Sequence, residues 1–304
     1  MDISITKHKG LKVKDIKVEL APPRNTKEGL FKIPNTIGFI GMRGSGKSTA
    51  ITSLYTDYMK TEAFDNIFVI SPTYHNDPKM QIIQTPKEFI YTEPTFEAIQ
   101  EIKEFIKEEI ETYKEYLKYK KVYEKFKTIM KRYGETDDFD LHKFFKPKEI
   151  VMLEENDFEE PYSQYKEMPQ TLIICDDVAG SNLLKQGKSP FNNLFILHRH
   201  LLTSIWVSVQ AYTALPKILR FNLTQMCLFK TKDGKTLKSI WEEVSGIVDY
   251  DEFIKLYEFA TDDNHSFLCI DFVDKKNKFR KNFDEVLTLK ENSSPIHEDA
   301  ITGE

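Results

Sequence analysis

A layered α/β fold, a mostly parallel sheet flanked by helices, is predicted by three observations in this 304-residue sequence. Short continuous apolar runs recur at 36–40, 67–70, 172–175, 204–209 and 225–229. Runs that are apolar at most positions, without strict alternation, belong to strands covered on both faces, the usual condition of parallel sheets. Stretches with helical spacing of apolar residues separate several of these runs, as crossover connections between parallel strands require. A hydrophobic content of 40% supports a sizeable core at this chain length.

The elements follow in order. The run TIGFI at 36–40 is β-prone and closes on a glycine-rich turn, after which 49–58 has helical periodicity, giving strand, loop and helix. Residues 67–70 form a second strand, stopped by Ser71 and Pro72. A long helical insertion, about 77–165, then separates this strand from the third, 172–175. Its dominant part, 95–133, repeats apolar residues at Ile99, Ile102, Ile106, Ile110 and Tyr113, continuing to Met130, with Glu and Lys between them. That pattern predicts one long helix or a helical hairpin, capped by Thr95 and ending at Lys131 and Arg132 before Gly134. Its role is either a solvated helix packed on the core or an arm that contacts a partner or another subunit. Residues 204–209 and 225–229 are the fourth and fifth strands. Residues 237–260 read as two short helices around Gly246, and 266–272 with 278–283 as a β-hairpin turning at 274–277. The expected organisation is an N-terminal arm (1–28), one domain (29–289) and a flexible acidic tail (290–304).

The glycine-rich turn carries the chemistry. Gly41, Met42, Arg43, Gly44, Ser45, Gly46, Lys47, Ser48 and Thr49 fit the pattern GxxxxGK[ST] between a strand and a helix. Glycines let the backbone curl so that its N–H groups face phosphates, and the helix N-terminus adds the positive end of its dipole. Lys47 is expected to reach the β- and γ-phosphates of ATP, and the Ser48 hydroxyl to bind Mg²⁺. The third strand closes on Asp176 and Asp177, and acids at the end of a buried strand are costly unless paired or bound to a metal. Asp176 is expected to hold the Mg²⁺ shell, and Asp177 to orient or deprotonate the attacking water. Gln210, ending the fourth strand, either senses the γ-phosphate and the water or bonds only to backbone. Arg199 and Arg220 flank that strand as candidate arginine fingers acting across a subunit boundary, whereas Arg43 would act in cis.

Composition removes other classes. The longest apolar runs fall far short of the roughly 18 residues of a membrane span, and the N-terminus lacks the apolar core of a signal peptide. Cys175, Cys227 and Cys269 sit in strand-like runs without metal-site spacing, and are expected to be buried and reduced. A net charge of −5 argues against nucleic-acid binding over the whole surface, so any such contact is local. The densest basic segment is 275–281, with Lys275, Lys276, Lys278, Arg280 and Lys281; the lysines from Lys7 to Lys17 are the alternative.

The order GMRGSGKST, IFVISPT, LIICDDV, HRHLLTSIWVSVQ and LPKILRFN, across about 31–232, resembles the poxvirus-type genome-packaging ATPases of large DNA viruses and virophages. These belong to the FtsK/HerA superfamily of P-loop motors. The resemblance implies an ASCE-type, RecA-like P-loop NTPase that assembles as a homo-oligomeric ring and hydrolyses ATP to drive double-stranded DNA into a preformed capsid. It also implies a capsid or portal-vertex partner, and a location in the viral factory of the host cytoplasm and in the virion. Two other readings compete. A P-loop nucleotide kinase would carry an arginine-rich lid, of which the sequence shows no clear example; a non-catalytic, nucleotide-gated scaffold would assemble through the long helix.

Overall fold

In the computed structural model of the protein, residues 24, 26–133, 140–185, 187, 189–231 and 233–289 are described. Most of the predicted arm, including Lys7 to Lys17, lies outside them, as do Gly134 and the tail 290–304. The parallel part of the sheet consists of β1 (Thr36–Ile40), β2 (Asn66–Ile70), β3 (Ile90–Tyr91), β4 (Thr171–Cys175), β5 (Thr203–Val209) and β6 (Gln225–Phe229). The antiparallel strands β7 (Phe267–Asp271), β8 (Phe279–Lys281) and β9 (Glu285–Val286) extend it. The strand order is β3-β2-β4-β5-β1-β6-β7-β8-β9. All five predicted strands and the hairpin are present.

Alternate side chains of each central strand enter opposite cores, because successive Cβ atoms point to opposite faces. Phe68, Ile70, Ile173, Ile205, Val207, Met226 and Leu228 join one apolar cluster. Ile37, Phe39, Ile67, Val69, Leu172, Ile174, Trp206 and Cys227 join the other. The helix α1 (Lys47–Met59) covers the second face with Ile51, Leu54 and Tyr55. On the first face lie α2 (Phe96–Tyr133), α4 (Pro190–Leu197), α6 (Gly234–Val244) and α7 (Tyr250–Ala260). Cys175, Cys227 and Cys269 are buried and free.

The sequence left α2 as a helix or a hairpin; it is one helix of 38 residues, about 57 Å long. The Thr95 hydroxyl accepts from the Ala98 N–H at 3.2 Å, as a cap should. Its first half packs on the sheet through Ile99, Ile102, Ile106 and Ile110. Its second half builds a small core with α3 (Pro147–Glu155), in which Tyr119 and Val122 meet Phe145, Ile150 and Leu153. The insertion is continuous with the sheet, since β3 pairs with β2. Three short helices, α3, α4 and α5 (Lys217–Arg220), are absent from the sequence reading. Each is under ten residues, too short to display a period of 3.6.

Candidate functional site

In a parallel sheet the C-terminal ends of strands share one edge, and there β1, β4 and β5 deliver the predicted site. β1 leads into the glycine turn, whose first residue donates from the Gly41 N–H to the Val209 carbonyl at 3.1 Å. A Cβ at Gly41 would lie 2.6 Å from both Phe229 Cβ and Ser45 Oγ, so a side chain cannot be accommodated there. Gly46 caps α1 at φ 106°, a left-handed conformation that favours glycine. The first-turn N–H groups of α1 lack intrahelical acceptors and, together with the dipole, face the site. Lys47 arches back over the loop, its Nζ donating to the Gly41 carbonyl at 2.6 Å and the Met42 carbonyl at 3.0 Å. Burial lowers its pKa, while Asp176 and Asp177 oppose that shift, so the ammonium sits among groups that favour its charge. Ser48 and Thr49 occupy the same turn, while Met42 is exposed at the loop tip and Arg43 beside it.

Across the sheet, Asp176 follows β4 and is 4% exposed. Burial raises its carboxyl above the ordinary aspartate range; the Ser208 hydroxyl opposes the shift, Asp177 adds to it, and Lys47 opposes it. Ser208 is near enough to favour the carboxylate but does not meet it at good hydrogen-bond geometry. Asp177 adopts φ 51°. Its Oδ1 accepts from Gln210 Nε2 at 2.8 Å, so the amide at the end of β5 holds the carboxylate at the end of β4. Among the described residues no three His, Cys, Asp or Glu side chains form a metal cage. Mg²⁺ does not need one, since it is commonly held by one or two protein ligands together with phosphates and water. A buried acid that makes no salt bridge among the described residues, on the same sheet edge as the Ser48 hydroxyl, fits that donor set.

The two arginines lie elsewhere. Arg199 precedes β5, so it stands at the entrance edge of the sheet, opposite the glycine loop. Arg220 ends α5, just before Asn222, whose carbonyl accepts from the Thr36 hydroxyl at the entrance of β1. Its guanidinium is committed within the chain: it meets Glu243 at 2.8 Å, donates to the Leu215 carbonyl at 2.9 Å and lies over the Tyr212 ring. Neither arginine reaches the loop of its own chain, and Arg220 would have to leave a partly buried ion pair to reach another. Arg220→Ala is therefore expected to strand Glu243 and to cost about 2 kcal/mol or more of stability, read as a melting temperature lowered by several degrees. An unchanged melting temperature would show the pair to be dispensable.

Two contributors went unnoticed in the sequence. His265, exposed at φ 67° in the turn before β7, packs so closely that a Cβ on Gly46 would lie 3.0 Å from its own. Lys79, in the irregular segment after β2, donates from Nζ to Thr49 Oγ1 at 2.6 Å. Neither belongs to a motif, so only folding reveals them.

A glycine loop between β1 and α1, with β5 inserted between the loop strand β1 and the acid strand β4, defines a P-loop NTPase fold of the additional-strand type. No family model matches the chain, and no curated protein matches it. Among solved structures it is similar to the genome-packaging NTPase B204 of Sulfolobus turreted icosahedral virus 2 in complex with AMPPCP. That match has 13% identity and a TM-score of 0.48, over 81% of this chain and 96% of that one. It is also similar to the pCW3 conjugation coupling protein TcpA in complex with ATPγS, with 14% identity, a TM-score of 0.44, and 80% and 60% of the two chains covered. A third is EssC (ATPases 2 and 3) of Geobacillus thermodenitrificans, with 15% identity, a TM-score of 0.43, and 82% and 39% covered. Likenesses of this size assign no activity to the present chain.

Proposed function

We propose that this protein is an ATP-hydrolysing motor of the viral genome-packaging kind, working as a homo-oligomeric ring that moves double-stranded DNA into a preformed capsid. The observation that carries the ATPase reading is the meeting of Gln210 with Asp177 on the edge that also presents Lys47, Ser48 and Asp176. A phosphate site alone serves many proteins; a carboxylate held by a neighbouring strand's amide beside that site suits activation of water. Lys47 would neutralise the β- and γ-phosphates, while Ser48 and Asp176 would hold Mg²⁺, which supplies charge neutralisation at the transferring phosphoryl group. Asp177 would orient the water, with Gln210 fixing that carboxylate and responding to the γ-phosphate. Arg199 and Arg220 would act, if at all, on a neighbouring subunit. The capsid or portal-vertex partner and the viral factory as place of action follow from the sequence resemblance alone.

Lys275 and Lys276 support the DNA reading. Their turn is fixed by Asp274, whose Oδ1 accepts from the Lys276 and Asn277 N–H groups at 2.8 and 3.1 Å. They line a cavity of about 1710 Å³ together with Arg199 and His200, at the sheet edge opposite the nucleotide. Lys275, Lys276 and Arg199 have no carboxylate partner among the described residues. Phosphate contacts of this kind carry no base information, which suits a motor that must move any sequence. ATP turnover measured with and without a DNA duplex, across protein concentration, tests the reading. Turnover per subunit should rise with both. The triple change K275A/K276A/K278A should weaken duplex stimulation equally for all sequences and reduce the salt slope by about 2–3. Turnover indifferent to duplex and to concentration would refute the motor. Phosphorylation of an added nucleoside monophosphate would favour the kinase, and nucleotide binding without turnover the scaffold.

A further inference from the structure

The segment between β2 and β3 runs beside the first turn of α1, next to the glycine loop. Tyr74, Met80 and Ile83 are buried in the same cluster as Ile51, Leu54 and Tyr55 of α1, so the segment is packed along that helix. The Tyr55 hydroxyl accepts from the Gln84 N–H at 3.2 Å, and Asp77 Oδ1 accepts from the Lys79 N–H at 2.9 Å. Met80 is fully buried, so the preceding side chain, Lys79, is turned out of the core and towards the first turn of α1. There its Nζ finds only a neutral hydroxyl, Thr49 Oγ1 at 2.6 Å, and among the described residues no carboxylate pairs with it. A helix N-terminus is positive, and a cation placed beside it is repelled unless an anion lies between. Lys47 stands in the same first turn, its ammonium over the loop carbonyls, so both lysines serve the N-terminal end of α1.

We infer that Lys79 is a phosphate-contacting residue of this site, a second cation beside Lys47, which donates to the α-phosphate end of a bound nucleoside di- or triphosphate. The inference rests on the P-loop reading above. The assignment to that end follows from the order of the loop. Lys47 serves the β- and γ-phosphates, and Thr49, two residues further along α1, lies past them on the path towards the nucleoside. Asp177 and Gln210 mark the opposite end, where hydrolysis would occur. Bound phosphate would take over the hydrogen bond that Thr49 now accepts. Both ATP and ADP carry an α-phosphate, so Lys79 should strengthen the two alike.

The experiment is titration of the full chain with fluorescent ATP and ADP analogues in the presence of Mg²⁺, for the unaltered protein, Lys79→Met, Lys79→Arg and Lys47→Ala. Lys79→Met is expected to weaken both nucleotides by the same factor, about tenfold or more, the range of a charge-assisted hydrogen bond. Lys79→Arg should recover most of that loss. Salt should narrow the difference, because the contact is between charges at a partly exposed site. Binding by Lys79→Met within about twofold of the unaltered protein, while Lys47→Ala loses it, would overturn this inference and leave the P-loop reading intact. Weakening of ATP alone would overturn the α-phosphate assignment. No nucleotide binding by the unaltered chain would overturn both readings.

Discussion

Lys47→Ala is expected to abolish ATP turnover, a loss of about a thousandfold or more, with the fold retained. The effect is large because the ammonium neutralises charge on the phosphates where it develops during transfer, and contributions of this kind lie in the range of about 10³–10⁵. The fold should survive because Lys47 makes no salt bridge among the described residues: its two hydrogen bonds go to the Gly41 and Met42 carbonyls on the loop itself, and the buried Asp176, whose charge it favours, is already pushed towards its neutral form by burial. Burial that lowers its pKa also means that some desolvation cost is removed with the side chain. Steady-state hydrolysis together with a thermal melt checks both halves. A folded variant that hydrolyses ATP at the original rate would sink the P-loop assignment.

Asp177→Asn should separate binding from chemistry. The variant is expected to bind Mg·ATP with near-original affinity and to hydrolyse it about 10²–10⁴-fold more slowly, the usual contribution of a positioned general base. Asparagine preserves size and can still accept from Gln210 Nε2, so the neighbouring strand end should keep its arrangement. It cannot take a proton from water. Asp176→Asn should instead weaken nucleotide binding itself in a Mg²⁺-dependent way, since Asp176 is the more buried acid and stands closer to the role of metal ligand. Titration of the two variants with a fluorescent ATP analogue, with and without Mg²⁺, reads the difference. If Asp177→Asn fails to bind Mg·ATP and Asp176→Asn binds but does not turn over, the two roles are exchanged.

The legibility of the fold varied with element length and burial. The five central strands were readable because each is mostly apolar, a pattern that follows from burial at every position on both faces. The strand β3 was not, since two half-buried residues, Ile90 and Tyr91, present no pattern at all. In α2 the periodicity was plain, yet helix and helical hairpin share it, and only the continuous backbone decided for one helix. For the site, the loop 41–49 and the acids Asp176 and Asp177 were legible because the strand, turn and helix that position them are contiguous in sequence. The contact of Gln210 with Asp177 belonged to neither expectation for that amide, and the position of β5 beside β4 supplied it.

The arginines show the opposite case. As residues flanking β5, Arg199 and Arg220 looked equally suited to a trans role, but Glu243, Tyr212 and the Leu215 carbonyl engage Arg220, and Arg199 faces a cavity at the far edge of the sheet. Lys79 and His265 were invisible because their partners, Thr49 and Gly46, are 30 and 219 positions away by subtraction of residue numbers. By itself, then, the sequence determined the α/β class, the phosphate loop and the acid pair, because backbone conformation, hydrophobic period and turn chemistry act between residues a few positions apart. Tertiary structure alone decided which cations stand beside the glycine loop and which are held elsewhere. Those placements depend on how the helices and loops pack against the two faces and edges of the sheet, and no segment of a few residues contains that information.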